Sequence, residues 1–215
     1  MFDAEKLKTA MGDLEEDIVV EILNEVMADG GKAVDAAMAA CQEGMSTVGK
    51  RFEKGEYFVG DLIYSGELMT RAMDIIRPAL TANKSGSAAT KLLLCTVEGD
   101  LHDIGKNIVK SIFEAGGFEV VDLGIDVPAD TVIQTAREQD IKIIALSGVL
   151  TIAIDAMKKT VDAFTKEGLR DDVKIIIGGA PINANVAKIV GSDAWSINPQ
   201  EGYEICRSWA TGTAG

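Results

Sequence analysis

The sequence predicts an α/β protein in which a bundle of four helices precedes a doubly wound parallel sheet of five strands. The first 80 residues show only the periodicity of amphipathic helices, whereas the later part alternates short apolar runs with helical segments. Between them, a polar stretch of small residues from Thr81 to Thr90 is typical of a linker. The predicted boundaries are 1–82 for the helical domain, 83–90 for the linker and 91–215 for the sheet domain.

Helical periodicity is clearest in the second helix of the predicted bundle, where Ile18, Ile22 and Val26 recur at every fourth residue. Asp13 is the predicted N-cap of this helix, and Gly30 can end it in the left-handed conformation. The other helices are predicted over residues 3–11, 32–53 and 59–80, the last one ending near Pro78. The predicted inner faces of the two long helices carry Val34, Met38, Cys41, Met45, Val48, Phe52, Leu62, Ile63, Leu68, Met69, Met73 and Ile76.

Four later segments are continuous apolar runs without the alternation of half-exposed strands. Such runs are expected in a parallel sheet that helices cover on both faces. With the helices between them, they give a β-α unit repeated five times, the flavodoxin-like (Rossmann-type) arrangement, whose ligands bind beyond the carboxyl ends of the strands. The predicted strands are residues 92–97, 118–123, 141–147, 173–178 and 193–195, and the predicted helices are 103–115, 129–139, 153–167, 183–190 and 199–209.

The composition of the chain argues against several classes of protein. The net charge is −13 and the 21 basic residues are scattered, a pattern that disfavours nucleic-acid binding. No apolar run approaches the roughly 20 residues that span a bilayer. The N-terminus lacks a secretory signal, so we expect no membrane partner and a cytoplasmic location. Cys41, Cys95 and Cys206 form no CxxC pair and are expected to be buried apolar residues.

The only histidine of the chain lies directly after the first predicted strand, in an Asp-x-His-x-x-Gly motif formed by Asp100, His102 and Gly105. A histidine that binds a metal through one ring nitrogen needs a hydrogen-bond partner for the other, and a carboxylate two residues away can be that partner. Gly105 would let a bulky ligand approach the backbone. The alternative is that His102 only caps a helix or bonds to a loop.

Two later strands are also followed by residues suited to a ligand site. The third strand ends at Ser147, and Thr151 follows four residues later, so two hydroxyl groups are predicted in one region. The fourth ends in Gly178 and Gly179, whose missing side chains would leave a slot beside the sheet edge. Because the ends of parallel strands meet at one edge, these residues and His102 are expected at a common site.

Together these motifs resemble the cobalamin-binding modules of methionine synthase and of the corrinoid proteins that serve methanol, methylamine and methoxyaromatic methyltransferases. The resemblance spans nearly the whole chain, helical bundle included. It implies that the cofactor is cobalamin or a related corrinoid, present as methylcobalamin in the loaded state. It also implies that His102 is the lower axial ligand to cobalt and that Asp100 and Ser147 form a hydrogen-bond relay to it.

The same resemblance implies a set of residues that contact the cofactor. The family's Ser-x-Leu motif aligns on Ser147 and Val149, so valine stands where leucine is usual. The helical bundle is similar to the family's cap, which implies that Phe58 faces the upper side of the corrin with Leu62 and Leu68 behind it; the alternative is that Phe58 belongs to the bundle core. The implied cofactor-binding residues are Phe58, Gly99, Asp100, Leu101, His102, Asp103, Ile104, Gly105, Ser147, Val149, Thr151, Gly178, Gly179 and Ala180.

By resemblance, the protein is expected to be a methyl carrier. It would accept a methyl group on Co(I) from a substrate:corrinoid methyltransferase and pass it to a second methyltransferase with a tetrahydrofolate-type or thiol acceptor, aided by a reductive activating protein. No segment resembles a catalytic barrel, so a carrier subunit is expected and not a complete enzyme. The methyl donor stays open between methanol, methylamines, quaternary amines and methoxyaromatics. The alternative functions are a cobalamin-binding sensor, the small subunit of an adenosylcobalamin-dependent mutase, and a flavodoxin-like receiver or flavin domain.

Overall fold

The structure is a computed structural model that describes residues 2–83 and 89–212, without the side chains of residues 80–83. It divides into two compact units, one formed by Met1–Ala88 with Glu114–Gly116 and the other by Ala89–Phe113 with Gly117–Gly215. The predicted linker at 83–90 falls mainly on residues 84–88, which lie outside the described residues. Within the described ranges, no helix combines the length and the apolar character needed to cross a membrane.

The first unit contains the four predicted helices. Helix α3 packs against α1 and α4, and α2 packs against α4, so every helix contributes to one shared core. Buried apolar residues recur along each of them, and Cys41 is among these residues, as predicted. The helices are α1 (Ala4–Gly12), α2 (Glu16–Ala28), α3 (Val34–Glu53) and α4 (Val59–Asn83).

The predicted N-cap of α2 is wrong. Asp13 still belongs to the end of α1, because its N–H donates to the carbonyl of Thr9, and its carboxylate forms an ion pair with Arg51. Leu14 then turns the chain with a φ of 60°, and α2 begins at Glu16 without a side-chain cap. The competing ion pair, which involves a residue 38 positions away, could not be read from local sequence.

Two predictions about α4 are also wrong. The helix continues through Pro78 to Asn83, because a proline removes only one N–H and the rest of the helical ladder can persist around it. Ile63, placed on the inner face, has 44% of its surface exposed. Successive helical residues are about 100° apart around the axis, so Ile63 lies outside the stripe of the buried residues Leu62 and Leu68.

The second unit is a five-stranded parallel sheet in the order β2-β1-β3-β4-β5, the flavodoxin-like order, which confirms the predicted fold class. A short 3-10 helix (Arg170–Asp172) precedes β4. The strands are β1 (Lys91–Thr96), β2 (Glu119–Asp122), β3 (Ile143–Ser147), β4 (Lys174–Gly178) and β5 (Ala194–Ser196), and the helices are α5 (Asp103–Ala115), α6 (Ala129–Glu138), α7 (Ala153–Lys166), α8 (Ala184–Val190) and α9 (Pro199–Thr211).

Helices cover both faces of this sheet. On one face, alternate residues of β1, β3 and β4 join residues of α6, α7 and α8 in a single apolar cluster. On the other, Phe113 of α5 meets Tyr203 of α9 edge to face, with ring centroids 5.8 Å apart. Strand β2 departs from the prediction of full burial, since it forms an edge of the sheet and its residues are half-buried or exposed.

We predict that the close approach of α1 and α3 depends on Gly44. A Cβ atom at this position would lie 2.5 Å from Met11 Cβ and 2.8 Å from the carbonyl oxygen of Lys8. Gly44→Ala should therefore lower the free energy of unfolding by about 1–3 kcal/mol in urea denaturation. Gly60→Ala in α4 is the control, because a Cβ there meets nothing within 4 Å and should leave stability unchanged or slightly higher. Equal losses in both variants would contradict the prediction.

Candidate functional site

The candidate site lies where the chain leaves strands β1 and β3, which are neighbours in the middle of the sheet. The helix that follows β1 contributes to one face of the sheet, and the helix that follows β3 contributes to the other. The two intervening loops therefore diverge, which is the position where ligands bind in open α/β sheets. The Asp100–His102 segment is in the first loop, and Val149 and Leu150 are in the second.

The centre of this site is the carboxylate of Asp100, which is wholly buried. Its Oδ2 accepts hydrogen bonds from the backbone N–H groups of Val149 and Leu150, at 2.7 and 3.0 Å. Its Oδ1 accepts one from the backbone N–H of His102 at 2.9 Å and lies 2.9 Å from His102 Nδ1. One carboxylate thus joins both loops and the histidine ring.

These contacts set the charge of Asp100. Burial alone would raise the pKa of its carboxyl group, but hydrogen bonds from the N–H groups of Leu150, His102 and Val149 outweigh burial and lower the pKa below its usual range. The group is therefore ionised and can only accept hydrogen bonds.

An ionised Asp100 also determines the tautomer of His102. Because the carboxylate has no proton to donate, the hydrogen between the two side chains belongs to His102 Nδ1. The lone pair of the neutral ring is then on Nε2, and 51% of the His102 side chain is exposed. The site therefore presents one imidazole nitrogen ready to bind a metal, with its partner nitrogen held by a carboxylate.

Glycines shape the β3 loop that supplies the two amides. A Cβ on Gly148 would lie 2.5 Å from Ala153 Cβ. A Cβ on Gly179, whose φ of 128° already favours glycine, would lie 1.9 Å from the carbonyl oxygen of Gly148. The N–H of Gly148 also donates to the carbonyl of Gly178 at 3.1 Å. The predicted pair at 178 and 179 therefore lets the loops after β3 and β4 touch.

Ser147 does not take part in the hydrogen bonds around Asp100. Within the described residues, the donors to this carboxylate are the amides of Val149 and Leu150 together with His102. The resemblance implied a relay that includes the Ser147 hydroxyl group, whereas the donors from the β3 loop are backbone N–H groups. Ser147 itself is half-buried at the end of β3, beside Thr96 and Gly178.

The loops at this edge of the sheet also expose large apolar side chains. Leu101 and Ile104 have 63% and 67% of their surface exposed, at the beginning of α5. Exposed apolar residues also follow β2, β3 and β5, so they surround the ends of the strands instead of being spread over the unit. A concentration of this kind marks a surface that binds an apolar ligand or partner. We call it the apolar rim: Leu101, Ile104, Ile125, Val149, Leu150, Ile152 and Ile197.

The remaining predicted site residues occupy the same edge, with one exception. Gly99 has a φ of 83°, and a Cβ on Gly105 would meet nothing within 4 Å, so that side of the α5 N-terminus is open. Thr151 and Ala180 are exposed in the loops after β3 and β4. The exception is Phe58, which belongs to the helical unit and is 70% exposed, so it is not part of the bundle core.

One buried ion pair near the site was not predicted. Lys106 of α5 is 3% exposed, and its ammonium group donates to Asp122 at 2.6 Å and to Asn107 Oδ1 at 2.8 Å. Burial would raise the pKa of Asp122, but the hydrogen bonds from Lys106 and from the N–H of Gly124, together with the charges of Lys106 and Lys110, outweigh it and lower the pKa. This ion pair connects the beginning of α5 with the end of β2. The signal in the sequence was a lysine one turn after His102, on the helical stripe that continues with Val109 and Phe113.

Comparison with known proteins places this geometry in a family. Residues 3–77 and residues 90–197 each match a family described as B12 binding domain. A cobalamin-binding protein from Desulfitobacterium hafniense, known from a crystal structure, is 48% identical and has a TM-score of 0.91, over 97% of this chain and 99% of that one.

Two proteins from Methanosarcina species are similar to this chain over most of its length. Trimethylamine corrinoid protein 1 of Methanosarcina acetivorans is 35% identical over 191 residues, which are 88% of this chain and 88% of that protein. A chain of the methanol:cobalamin methyltransferase complex of Methanosarcina barkeri is 25% identical with a TM-score of 0.69, over 98% of this chain and 80% of that one.

The chain therefore belongs to the B12-binding family of corrinoid proteins, and its cofactor is a cobalamin-type corrinoid. This confirms the family and the cofactor that the motifs predict. The residues at the sheet edge fit such a group in three respects: His102 Nε2 has an available lone pair, the apolar rim suits the edge of a large macrocycle, and the backbone at Gly105 is open to it.

We predict that the Asp100 carboxylate holds the two loops together. Asp100→Asn replaces one accepting oxygen by an NH2 group that faces N–H donors, so the free energy of unfolding should fall by about 1–3 kcal/mol. Urea denaturation of the cofactor-free protein measures this change. Ser147→Ala is the control and should change stability by less than about 0.5 kcal/mol, because Ser147 makes no bond to Asp100. Equal losses in the two variants would argue against a special role of the carboxylate.

Proposed function

We propose that this protein carries a methyl group on its corrinoid, with His102 Nε2 as the lower axial ligand to cobalt. The observation that supports this most directly is the Asp100–His102 pair, with a contact of 2.9 Å at Nδ1 and an exposed ring on the other side. The corrinoid supplies the cobalt to which the methyl group is attached during transfer. The polypeptide binds it, orients it and selects its partners.

In this proposal, Asp100 serves the ligand in two ways. Its hydrogen bond keeps the proton on Nδ1, which leaves the lone pair on Nε2 for coordination. Its bonds to Val149 and Leu150 fix the carboxylate, so the ring keeps its hydrogen bond at Nδ1 only in the orientation that this fixed carboxylate allows. The ligand is therefore oriented before the cofactor arrives, which lowers the entropic cost of binding.

The other residues at the sheet edge would surround the macrocycle and its tail. The apolar rim would lose contact with water when the corrin lies on it, at about 25 cal/mol for each Å² buried. Backbone at Gly99, Gly105 and Gly178–Gly179 would allow close approach. We propose as cofactor-contacting residues Gly99, Asp100, Leu101, His102, Asp103, Ile104, Gly105, Ser147, Val149, Thr151, Gly178, Gly179 and Ala180.

The helical unit offers a second apolar surface, and we propose that Phe58 uses it to shield the upper side of the corrin. The turn before Phe58 is held firmly, since Arg51 donates to Tyr57 Oη at 2.7 Å and to the carbonyl of Gly12 at 2.8 Å. The N–H of Phe58 donates to Asp61 at 2.8 Å. A fixed backbone with an exposed aromatic ring suits a preformed contact surface.

The proposed partners are methyltransferases. Relatives that resemble this chain along most of its length bear names such as trimethylamine and dimethylamine corrinoid protein, and one similar chain belongs to a methanol:cobalamin methyltransferase complex. We propose that one partner donates the methyl group from a small substrate, and that a second methyltransferase with a tetrahydrofolate-type or thiol acceptor removes it. A reductive activating protein would restore the cobalt after oxidation.

The axial ligand can be tested by electron paramagnetic resonance of the Co(II) form. With nitrogen-15-labelled histidine, we expect the axial splitting of the wild-type protein to change from three lines to two, and His102→Ala to lose this response to the label, because the chain has no other histidine. Ser111→Ala, an exposed position of α5, is the control and should keep the splitting. If His102→Ala has the wild-type spectrum, another group binds the lower face and the proposal fails.

The carrier role can be tested by transfer of an isotope-labelled methyl group. The reduced, cofactor-loaded protein should gain label only when a substrate and its matching methyltransferase are both present. Trimethylamine, dimethylamine and methanol systems are the first candidates, because similar proteins bear these names. Omitting the methyltransferase is the control. Label acquired from the substrate by this protein alone would show a complete enzyme and contradict the carrier role.

A further inference from the structure

We propose that Asp126, in the loop after β2, is a positioning residue for the axial ligand. It would act through the backbone of Gly99 and Asp100 and not by touching the cofactor. The inference rests on the proposed function of His102 as the ligand to cobalt.

Asp126 forms two hydrogen bonds with the backbone immediately before His102. Its Oδ1 accepts a hydrogen bond from the N–H of Gly99 at 2.7 Å. Its own N–H donates to the carbonyl of Asp100 at 3.1 Å. One residue thus holds both sides of the Gly99–Asp100 linkage. Since His102 is only two residues after Asp100, its position depends on these hydrogen bonds.

Thr96 fixes Asp126 to the sheet. Its buried hydroxyl donates to the carbonyl of Asp100 at 2.8 Å and accepts from the N–H of Asp126 at 3.1 Å. Thr96 is the last residue of β1, and its backbone bonds to Gly124 at 3.0 Å and to Val127 at 3.1 Å. The loop after β2 is therefore tied to the end of β1, and Asp126 cannot move independently of the sheet.

The backbone conformation of Asp126 indicates that its side chain is needed. Its φ is 54°, in the left-handed region that favours glycine. Glycine would adopt this φ more easily but could not accept the hydrogen bond from Gly99. Aspartate and asparagine tolerate the region better than other side chains and also supply an oxygen acceptor. Asp126 therefore meets both requirements, a positive φ and an oxygen that accepts the hydrogen bond from Gly99.

The geometry divides the support of Asp100 between two neighbouring loops. The loop after β3 holds the carboxylate through the amides of Val149 and Leu150, whereas the loop after β2 holds the backbone through Asp126. Losing the hydrogen bond from Gly99 to Asp126 would loosen the backbone before His102, while the amides of Val149 and Leu150 still held the carboxylate. The expected result is a weaker bond between His102 and cobalt with little change in folding.

The test is the Co(II)/Co(I) midpoint potential of the cofactor-loaded protein, because an axial ligand stabilises Co(II) more than Co(I). Asp126→Gly keeps the backbone conformation and removes the acceptor. We expect it to weaken ligation of Co(II) about three- to tenfold, the usual effect of one lost hydrogen bond. This corresponds to a potential about 28–59 mV more positive for a one-electron couple. Thr96→Val should shift the potential in the same direction, and Thr96→Ser should restore it.

Two controls separate positioning from a direct effect of charge. Asp126→Asn removes the negative charge but keeps an oxygen acceptor and a tolerated φ, so its potential should remain close to the wild-type value. In a His102→Ala background there is no ligand to position, so Asp126→Gly should then have no effect. A shift in Asp126→Asn equal to that in Asp126→Gly, or a shift that persists without His102, would overturn the proposal.

The two proposals fail in different ways. If His102→Ala leaves the nitrogen hyperfine splitting of the wild-type protein unchanged, the axial ligand is wrong and the role of Asp126 falls with it. If the splitting requires His102 but Asp126→Gly and Thr96→Val both have the wild-type potential, only the positioning role is wrong. If Asp126→Gly does not fold, Thr96→Val alone decides, since valine keeps the shape of threonine without its hydroxyl group.

Discussion

The buried carboxylate of Asp100 is the constraint on which the rest of the site depends. An ionised group without contact to water is costly unless hydrogen bonds replace its hydration. Here they come from the loop after β3 and from the backbone and ring of His102. Because these groups must converge on two oxygens, the loops can adopt few other arrangements. The orientation of the imidazole follows from the hydrogen bonds that the carboxylate accepts.

Several large apolar side chains of the site are exposed to solvent and are not part of the hydrophobic core. In the described part of the sheet unit, the exposed large apolar side chains follow the ends of the strands, apart from Ile189 on α8. Leucine and isoleucine in such positions add nothing to the stability of the free protein, since they stay hydrated. A large, mostly flat ligand that covered them, as we propose for the corrin, would give these residues a function. The family assignment and the local chemistry therefore agree for independent reasons.

Local sequence predicted the elements of the fold well, because periodicity and turn residues act over a few positions. The strands and helices of the sheet unit lie within a few residues of their predicted ranges. The errors at Asp13, Ile63 and Pro78 have different causes. Asp13 forms an ion pair with a residue 38 positions away, which local sequence does not show. Ile63 lies just outside the buried stripe of its helix, and Pro78 removes only one bond from a helix that continues around it.

For the site, the sequence by itself determined the chemistry: a lone histidine beside an aspartate, small residues after two strands, and an apolar pattern that demands a parallel sheet. Only the tertiary structure decided which groups meet. The amides of Val149 and Leu150 reach Asp100, instead of the hydroxyl of Ser147, because the direction of a backbone N–H depends on the path of a loop. Side-chain identity is written in the sequence, whereas the orientation of the main chain arises only when distant segments pack together.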